Sequence, residues 1–440
     1  MDKKQCDVVV IGAGIGGLCL AARLAKSGYK TIVLEKMPIL GGRYTYVDYK
    51  GYLIPTGAVA VMYGKNDPVL LTLKDLNIDV DALDMKVVPV PKWRINGKDH
   101  EISSKNQTAQ LMAAASRNKQ EEEKIGKAFL HAYRWRFPPE NITFHDWLLN
   151  LTDNKNIYNI FQAISIAIIG PNLYEISARD FFKYMRIFAG IEMLVPREGL
   201  TPIVDSLAKV ITDNKGEILT RVNAHKIIVQ DGIATGVEAK GPEGEYQIEA
   251  RVVVSDAGPQ KTVELAGEGN FDKGYLKEVA GLKPWVGMGF ILSSTGPLYD
   301  WPGGIYTIDT PRQLVFCDYT LIWPHWAPKG KNWTYSYQAV ESITSYDPVK
   351  ERKAFMDTLH ATLPNFEKRD GEILTIHLYR GGWPCLRAWP TDPSHRRTPV
   401  ENLYNVGDAV NPPDITAGSG VAEASRIVAE DIKTRIKPGR

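Results

Sequence analysis

Residues 8–11 form an unbroken β-branched run, and a glycine-rich segment follows at once. Such a run suits a strand buried on both faces of a parallel sheet. Residues 16–27 carry apolar positions at helical spacing and predict a helix, which Gly28 is placed to stop. Residues 31–34 predict a second strand, and 67–76 a helix capped by Asn66 or Asp67. Short strands are predicted over 87–90 and 92–95, with Asn96-Gly97 as a turn. From 104 to 188 the pattern is mostly helical. Residues 107–136 read as amphipathic turns that Pro138-Pro139 ends, and Thr143 caps 146–151. Residues 156–169 and 178–188 are strongly apolar and aromatic. Buried and cavity-lining helices share that pattern, so these two predict a helical core that also walls an apolar cavity.

A helix is predicted over 201–214, then strands over 217–219, 224–229, 235–239 and 246–250, with turns at Asp231-Gly232 and 242–244. Residues 251–257 predict a further buried strand. The region 283–383 reads as β-rich, with strands over 285–293, 313–323, 333–340 and 373–379 and one helix between 348 and 363. Seven of the ten tryptophans fall there or just before Pro390, which points to an aromatic sheet or pocket wall. Near the end, an apolar strand stops at Gly407-Asp408, and a glycine-rich turn opens a helix running to about Lys433.

Length and charge narrow the picture. With 440 residues the chain suggests two or three domains. Its 53 basic and 51 acidic residues balance, which removes any global drive toward nucleic acid. Cys6, Cys19, Cys317 and Cys385 form no C-x-x-C pair and read as free thiols of a reducing compartment. The first residues lead straight into the first strand and do not read as a signal peptide. No apolar stretch reaches the roughly 18 residues needed to span a bilayer. The eight histidines show no metal-ligand spacing, so no metal site is expected.

The chemistry lies in the glycines. Gly12, Gly14 and Gly17 stand between the first strand and the first helix. Gly12 permits the turn, Gly14 leaves room for a pyrophosphate at the backbone, and Gly17 lets the helix pack on the sheet. The helix aims its first-turn N–H groups at that phosphate. Glu35, about 20 residues on, is placed to accept ribose hydroxyls. Together these predict dinucleotide binding. A second strand–turn–helix glycine motif is absent, so a separate NAD(P)H domain is not expected.

Leu40-Gly41-Gly42-Arg43 resembles the second signature of FAD enzymes in the phytoene desaturase and amine oxidase group. Residues 51–58 are similar to the segment beside the flavin, departing from the group at Pro55, where an Asp is common. Gly407-Asp408 and 416–425 resemble its closing motif, in which the Asp contacts the flavin chain and the helix N-terminus faces the flavin. The resemblance implies a Rossmann-like α/β fold: a parallel sheet with a three-stranded β-meander and an inserted α+β substrate domain. It implies a discontinuous cofactor domain (1–90, 191–270, 391–440) and a substrate domain (91–190, 271–390).

By the same resemblance the cofactor residues are Gly12, Gly14, Ile15, Gly16, Gly17, Glu35, Lys36, Gly42, Arg43, Gly57, Ala58, Val222, Asp256, Gly407, Asp408, Gly420 and Val421. Tyr379, Arg380 and Trp383 are the candidate catalytic, substrate-facing residues. The closing turn lacks the Cys or His that tethers flavin in some relatives, so the expected FAD is non-covalent. The expected activity is hydride transfer between flavin N5 and a carbon of a lipophilic substrate, with quinone, oxygen or a carrier as acceptor. A cytoplasmic location follows, with peripheral membrane contact and oligomeric state left open. Three alternatives stand beside it: a flavin amine oxidase, a redox-neutral double-bond isomerase, and a non-enzymatic prenyl-binding escort protein of the same architecture.

Overall fold

The computed structural model describes residues 2–103, 106–135, 141–188, 191–282, 286–342, 346–380 and 393–439. Two large sheets organise them. The first is centred on the Asp2–Ile11 strand, which pairs in parallel with Thr31–Glu35 on one side and Gly244–Ser255 on the other. Glu217–Thr220 extends it beyond Thr31–Glu35, and Leu403–Asn405 joins the far half of Gly244–Ser255, both in parallel. Val8, Val9, Val10, Val252, Val253 and Val254 are wholly buried, as expected for strands covered on both faces.

The meander Asn223–Gln230, Ile233–Gly241 and Gly244–Ser255 is antiparallel. Residues 246–250 and 251–257, read from sequence as two strands, belong to one twelve-residue strand. On one edge its residues 244–249 close the meander and 253–255 pair with Leu403–Asn405, while on the other edge 246–255 pair in parallel with the first strand. No breaker interrupts it, so one strand serves three neighbours.

The second sheet runs in the order Glu372–Tyr379, Gly287–Thr295, Lys331–Ala339, Leu314–Cys317, Ile305–Thr307, Lys92–Ile95, Lys98–Glu101. It therefore joins residues near 92–101 to residues near 287–379. Two strand expectations shift. The strand expected over 87–90 is Met85–Val87, because its partner is Leu194–Pro196. The strand expected over 313–323 stops at Cys317, where the Asp318 side chain accepts from Thr320 N and turns the chain into a 3-10 helix.

The helical layer holds Gln107–Ala115, Lys119–Tyr133, Phe144–Leu149, Lys155–Ile164 and Ala178–Phe188. The amphipathic stretch read over 107–136 holds two helices, since Asn118 takes extended backbone and caps the second through Glu121 N. A π-helical turn, Ser165–Ile169, continues the 155–164 helix. The layer's core is aromatic, with Phe129, Phe144, Phe161, Phe181 and Phe182 in mutual ring contact. Among the described residues no helix is long and apolar enough to cross a membrane, and no cluster could hold a metal ion.

Candidate functional site

A cavity of about 2170 Å³ runs from the glycine turn of the first sheet to the face of the second sheet and the helical layer. Its glycine end is built by short-range geometry. Gly12 has φ +100° and its N–H reaches Leu34 O at 2.8 Å, tying the turn to the second strand. A Cβ on Gly17 would run into Gly12 O, which accounts for the third glycine. Glu35 is nearly buried, and its two carboxylate oxygens accept from Ala13 N (2.9 Å) and Met37 N (2.8 Å). Those bonds fix its aim at the cleft and leave lone pairs on both oxygens. Val222 lines the cleft, but its N–H is committed to Glu35 O at 2.9 Å.

Gly41 N bonds Ala13 O at 2.8 Å, which draws the second glycine pair against the first. Arg43 follows and donates to Asp408 Oδ2 at 3.1 Å. Gly57 is required because a Cβ there would lie 2.7 Å from Arg43 O. The Ala417–Arg435 helix begins at the cavity, where Gly418, Ser419 and Val421 line it. Its first turn is anchored by Asp67, wholly buried, whose carboxylate accepts from Ser419 Oγ, Met62 N, Tyr63 N and Val69 N. Sequence reading saw Asp67 only as a cap. Its link to residue 419 has no local signature.

Asp256 is placed differently from the sequence expectation. Its Oδ2 accepts from Gly17 N at 3.0 Å, within the first turn of the Ile15–Lys26 helix. A Cβ on Gly14 would lie 2.5 Å from Oδ2, and one on Gly16 2.8 Å from Oδ1. The room that Gly14 opens is thus filled by this carboxylate. Burial pushes the group up to about 7, against the opposing pull of Gly17 N and Arg43.

At the other end, Tyr319, Tyr335, Tyr337 and Tyr379 line the cavity. Tyr335 and Tyr337 lie two apart on one strand and so share a face. Gly287 admits the Tyr337 ring, and Gly289 lies against Tyr335 and Tyr379. Tyr335 is hydrogen-bonded to Tyr379, and burial holds the Tyr335 hydroxyl well above its usual range. Trp93 and Tyr306 stack at 4.4 Å deeper in the second sheet. Phe129, Met112 and Met185 complete an apolar wall, and exposed Val87, Val90 and Leu130 rim it.

Of the predicted residues, Gly12, Gly14, Ile15, Gly16, Glu35, Lys36, Gly42, Arg43, Gly57, Ala58, Val222, Asp256, Gly407, Asp408, Val421 and Tyr379 all line this one cavity. Gly17 and Gly420 serve behind it: Gly420 packs on Asn411 and Ile415 O. Arg380 does not join them. It is exposed and reaches Tyr346, at 3.0 Å to the hydroxyl, because its position on the strand alternates with Tyr379. Trp383 lies outside the described residues.

Comparison with known proteins places this geometry. Residues 10–76 match the NAD(P)-binding Rossmann-like domain family. An oxidoreductase from Methanosarcina mazei superposes with a TM-score of 0.82 at 26% identity, covering 96% of this chain and all of that one. Prolycopene isomerase of Daucus carota is 26% identical over 65% of this chain and 52% of its own length. Phytoene desaturase of Rhodobacter capsulatus is 26% identical over 57% of this chain and 52% of its own. The chain is similar in sequence to phytoene desaturases and prolycopene isomerases. It spans about half the length of these two curated relatives. Putrescine oxidase, at a TM-score of 0.75 and 14% identity over 98% of this chain and all of that one, shares the fold. The chain carries the Rossmann-like sheet, with the glycine turn at the end of its first strand. Its tyrosine-lined strand and aromatic helical layer face the same cavity from the other end.

Proposed function

We propose that this chain is an FAD-dependent oxidoreductase that moves a hydride between flavin N5 and a carbon of a lipophilic, alkene-bearing or alicyclic substrate. The observation that carries the reading is the single cavity shared by a dinucleotide cradle and an apolar aromatic compartment. At about 2170 Å³ it is roughly twice the upper end of the usual ~300–1000 Å³ small-ligand pocket, so it has room for two molecules. The residues fit FAD: Gly42 leaves its backbone open to close approach, the Asp256 carboxylate marks an anion position at Gly14 and Gly16, and two helix N-termini meet the cleft.

In this reading Glu35 takes ribose hydroxyls, the first-turn amides of Ile15–Lys26 take the diphosphate, and Asp408 holds the flavin chain. Bound FAD would supply hydride-accepting or hydride-donating chemistry at N5. The N-terminus of Ala417–Arg435 stabilises negative charge on the ring side. Tyr335, Tyr337 and Tyr379 orient the substrate, and the apolar lining keeps water out. Residues 91–190 and 271–390 form the substrate unit, and 1–90, 191–270 and 391–440 the cofactor unit. The cofactor is held non-covalently, and a quinone, oxygen or a carrier closes the cycle.

The prolycopene isomerase relatives support a second reading, redox-neutral double-bond movement at the same site. Anaerobic incubation of FAD-loaded protein with a panel of lipophilic alkenes separates the two. Flavin reduction with loss of substrate hydrogen supports the oxidoreductase. Isomer formation with no net oxidation supports the isomerase. Tight substrate binding without either reaction would favour an escort role.

A further inference from the structure

The carboxylate of Asp256 stands where an anion is expected. It accepts from Gly17 N at 3.0 Å, in the first turn of the Ile15–Lys26 helix, and it lies over Gly14, Gly16 and Gly407. A Cβ on Gly407 would come 2.5 Å from Oδ1, so three glycines on two separate turns admit this one side chain. The helix carries no acid of its own in its first turn. Asp256 lines the cleft, is half-buried, and follows the strand that pairs with the first strand. A dinucleotide diphosphate needs the same amides and the same glycine-lined space.

We propose that Asp256 couples dinucleotide capture to uptake of one proton: its carboxylate occupies the diphosphate cradle, and the diphosphate replaces it only as the side chain becomes neutral. The inference rests on the FAD reading above. Two negative groups cannot share one set of helix-terminal donors without a large cost, whereas a neutral carboxylic acid can turn its O–H toward a phosphate oxygen. The groups facing Asp256 are Glu35 from the second strand, Arg43 from the following turn, Asp408 just beyond the neighbouring Leu403–Asn405 strand, and the Cys19 thiol on the helix. Arg43 is already paired with Asp408 at 3.1 Å, so its charge is committed to a carboxylate before a second anion enters. Burial pushes Cys19 up to about 12, leaving it neutral. Asp256 itself is raised to about 7, chiefly by burial, which places its proton within reach near neutral pH.

The sign follows from linkage. Bound diphosphate raises the group further, so FAD binding is strongest below the free-state value and weakens as pH rises through it. FAD carries no group that titrates near neutrality. The test is the FAD dissociation constant of apo-protein from about pH 6 to about pH 8.5, for wild type and Asp256→Asn, which keeps an acceptor for Gly17 N. Calorimetry in two buffers of different ionisation enthalpy counts protons taken up by wild type, and so stands even if the variant does not fold. Wild type should lose affinity by up to roughly tenfold per pH unit above neutrality and take up close to one proton per FAD. Asp256→Asn should bind with little pH dependence. Equal pH dependence in both proteins, or no proton uptake by wild type, overturns the inference while leaving FAD binding intact. No FAD binding at any pH in either protein would overturn the cofactor reading and the inference with it.

Discussion

Asp67→Ala is a demanding test of how the cleft is held together. Asp67 is wholly buried and accepts Met62 N at 2.9 Å, Tyr63 N at 3.2 Å, Val69 N at 2.8 Å and Ser419 Oγ at 2.6 Å. It caps the Pro68–Asp75 helix and ties it to the first turn of Ala417–Arg435, 352 residues away. Alanine strands three N–H groups, of Met62, Tyr63 and buried Val69, and the Ser419 hydroxyl. Hydrogen bonds to a charged group contribute about 1.5–3 kcal/mol each, but bonds sharing one carboxylate are not additive. An overall loss of about 3–5 kcal/mol follows, at the upper end for single substitutions. Asp67→Asn keeps an acceptor and should lose about half as much. Urea titration of apo-protein, followed by tryptophan fluorescence, compares the three proteins. An alanine variant within about 1 kcal/mol of wild type would refute the reasoning, because the bonds could not then be carrying the link.

Two further outcomes are expected. Asp408→Ala removes the partner of Arg43 and the proposed acceptor for the flavin chain, so FAD dissociation should become about ten- to a hundredfold easier, with the apo-protein melting temperature little changed. A melting-temperature drop with unchanged FAD dissociation would assign Asp408 a turn-capping role instead. The third outcome concerns acid. Glu121 is held down to about 2 by the Arg117 guanidinium, with help from Thr152 and Asn154. A depressed carboxylate stabilises above its unfolded value, about 4.3, and that contribution fades as pH falls from there toward its folded value. Hydrogen exchange should therefore loosen at the junction of the helices Lys119–Tyr133 and Lys155–Ile164 in that window, and Glu121→Gln should remove the pH dependence of this junction.

Local chemistry was legible and distant pairing was not. Gly12, Gly14, Gly17 and Glu35 lie within one strand–turn–helix–strand unit, so spacing alone placed Gly12, Gly14 and Glu35 in the cleft and Gly17 just behind it. The closing motif at Gly407-Asp408 was readable for the same reason. Period two on the 331–339 strand could have exposed Tyr335 and Tyr337 as one face, but their partner glycines, Gly287 and Gly289, lie on another strand. The reach of Asp256 into the first glycine turn crosses 239 residues, and no local pattern encodes it. Arg380 shows the limit of resemblance: it adjoins a cavity residue in sequence, and strand alternation sends it outward.

The central claim is that one cleft holds FAD, without a covalent bond, between the glycine turn and the Ala417–Arg435 helix. Its most direct test is the release of flavin from purified protein on denaturation, with the supernatant assayed for intact FAD. The account predicts a yellow protein that yields close to one FAD per chain and a colourless precipitate, or an apo-form that becomes yellow on incubation with FAD. A protein that stays colourless after incubation with FAD, or one whose flavin remains with the denatured chain, would contradict it.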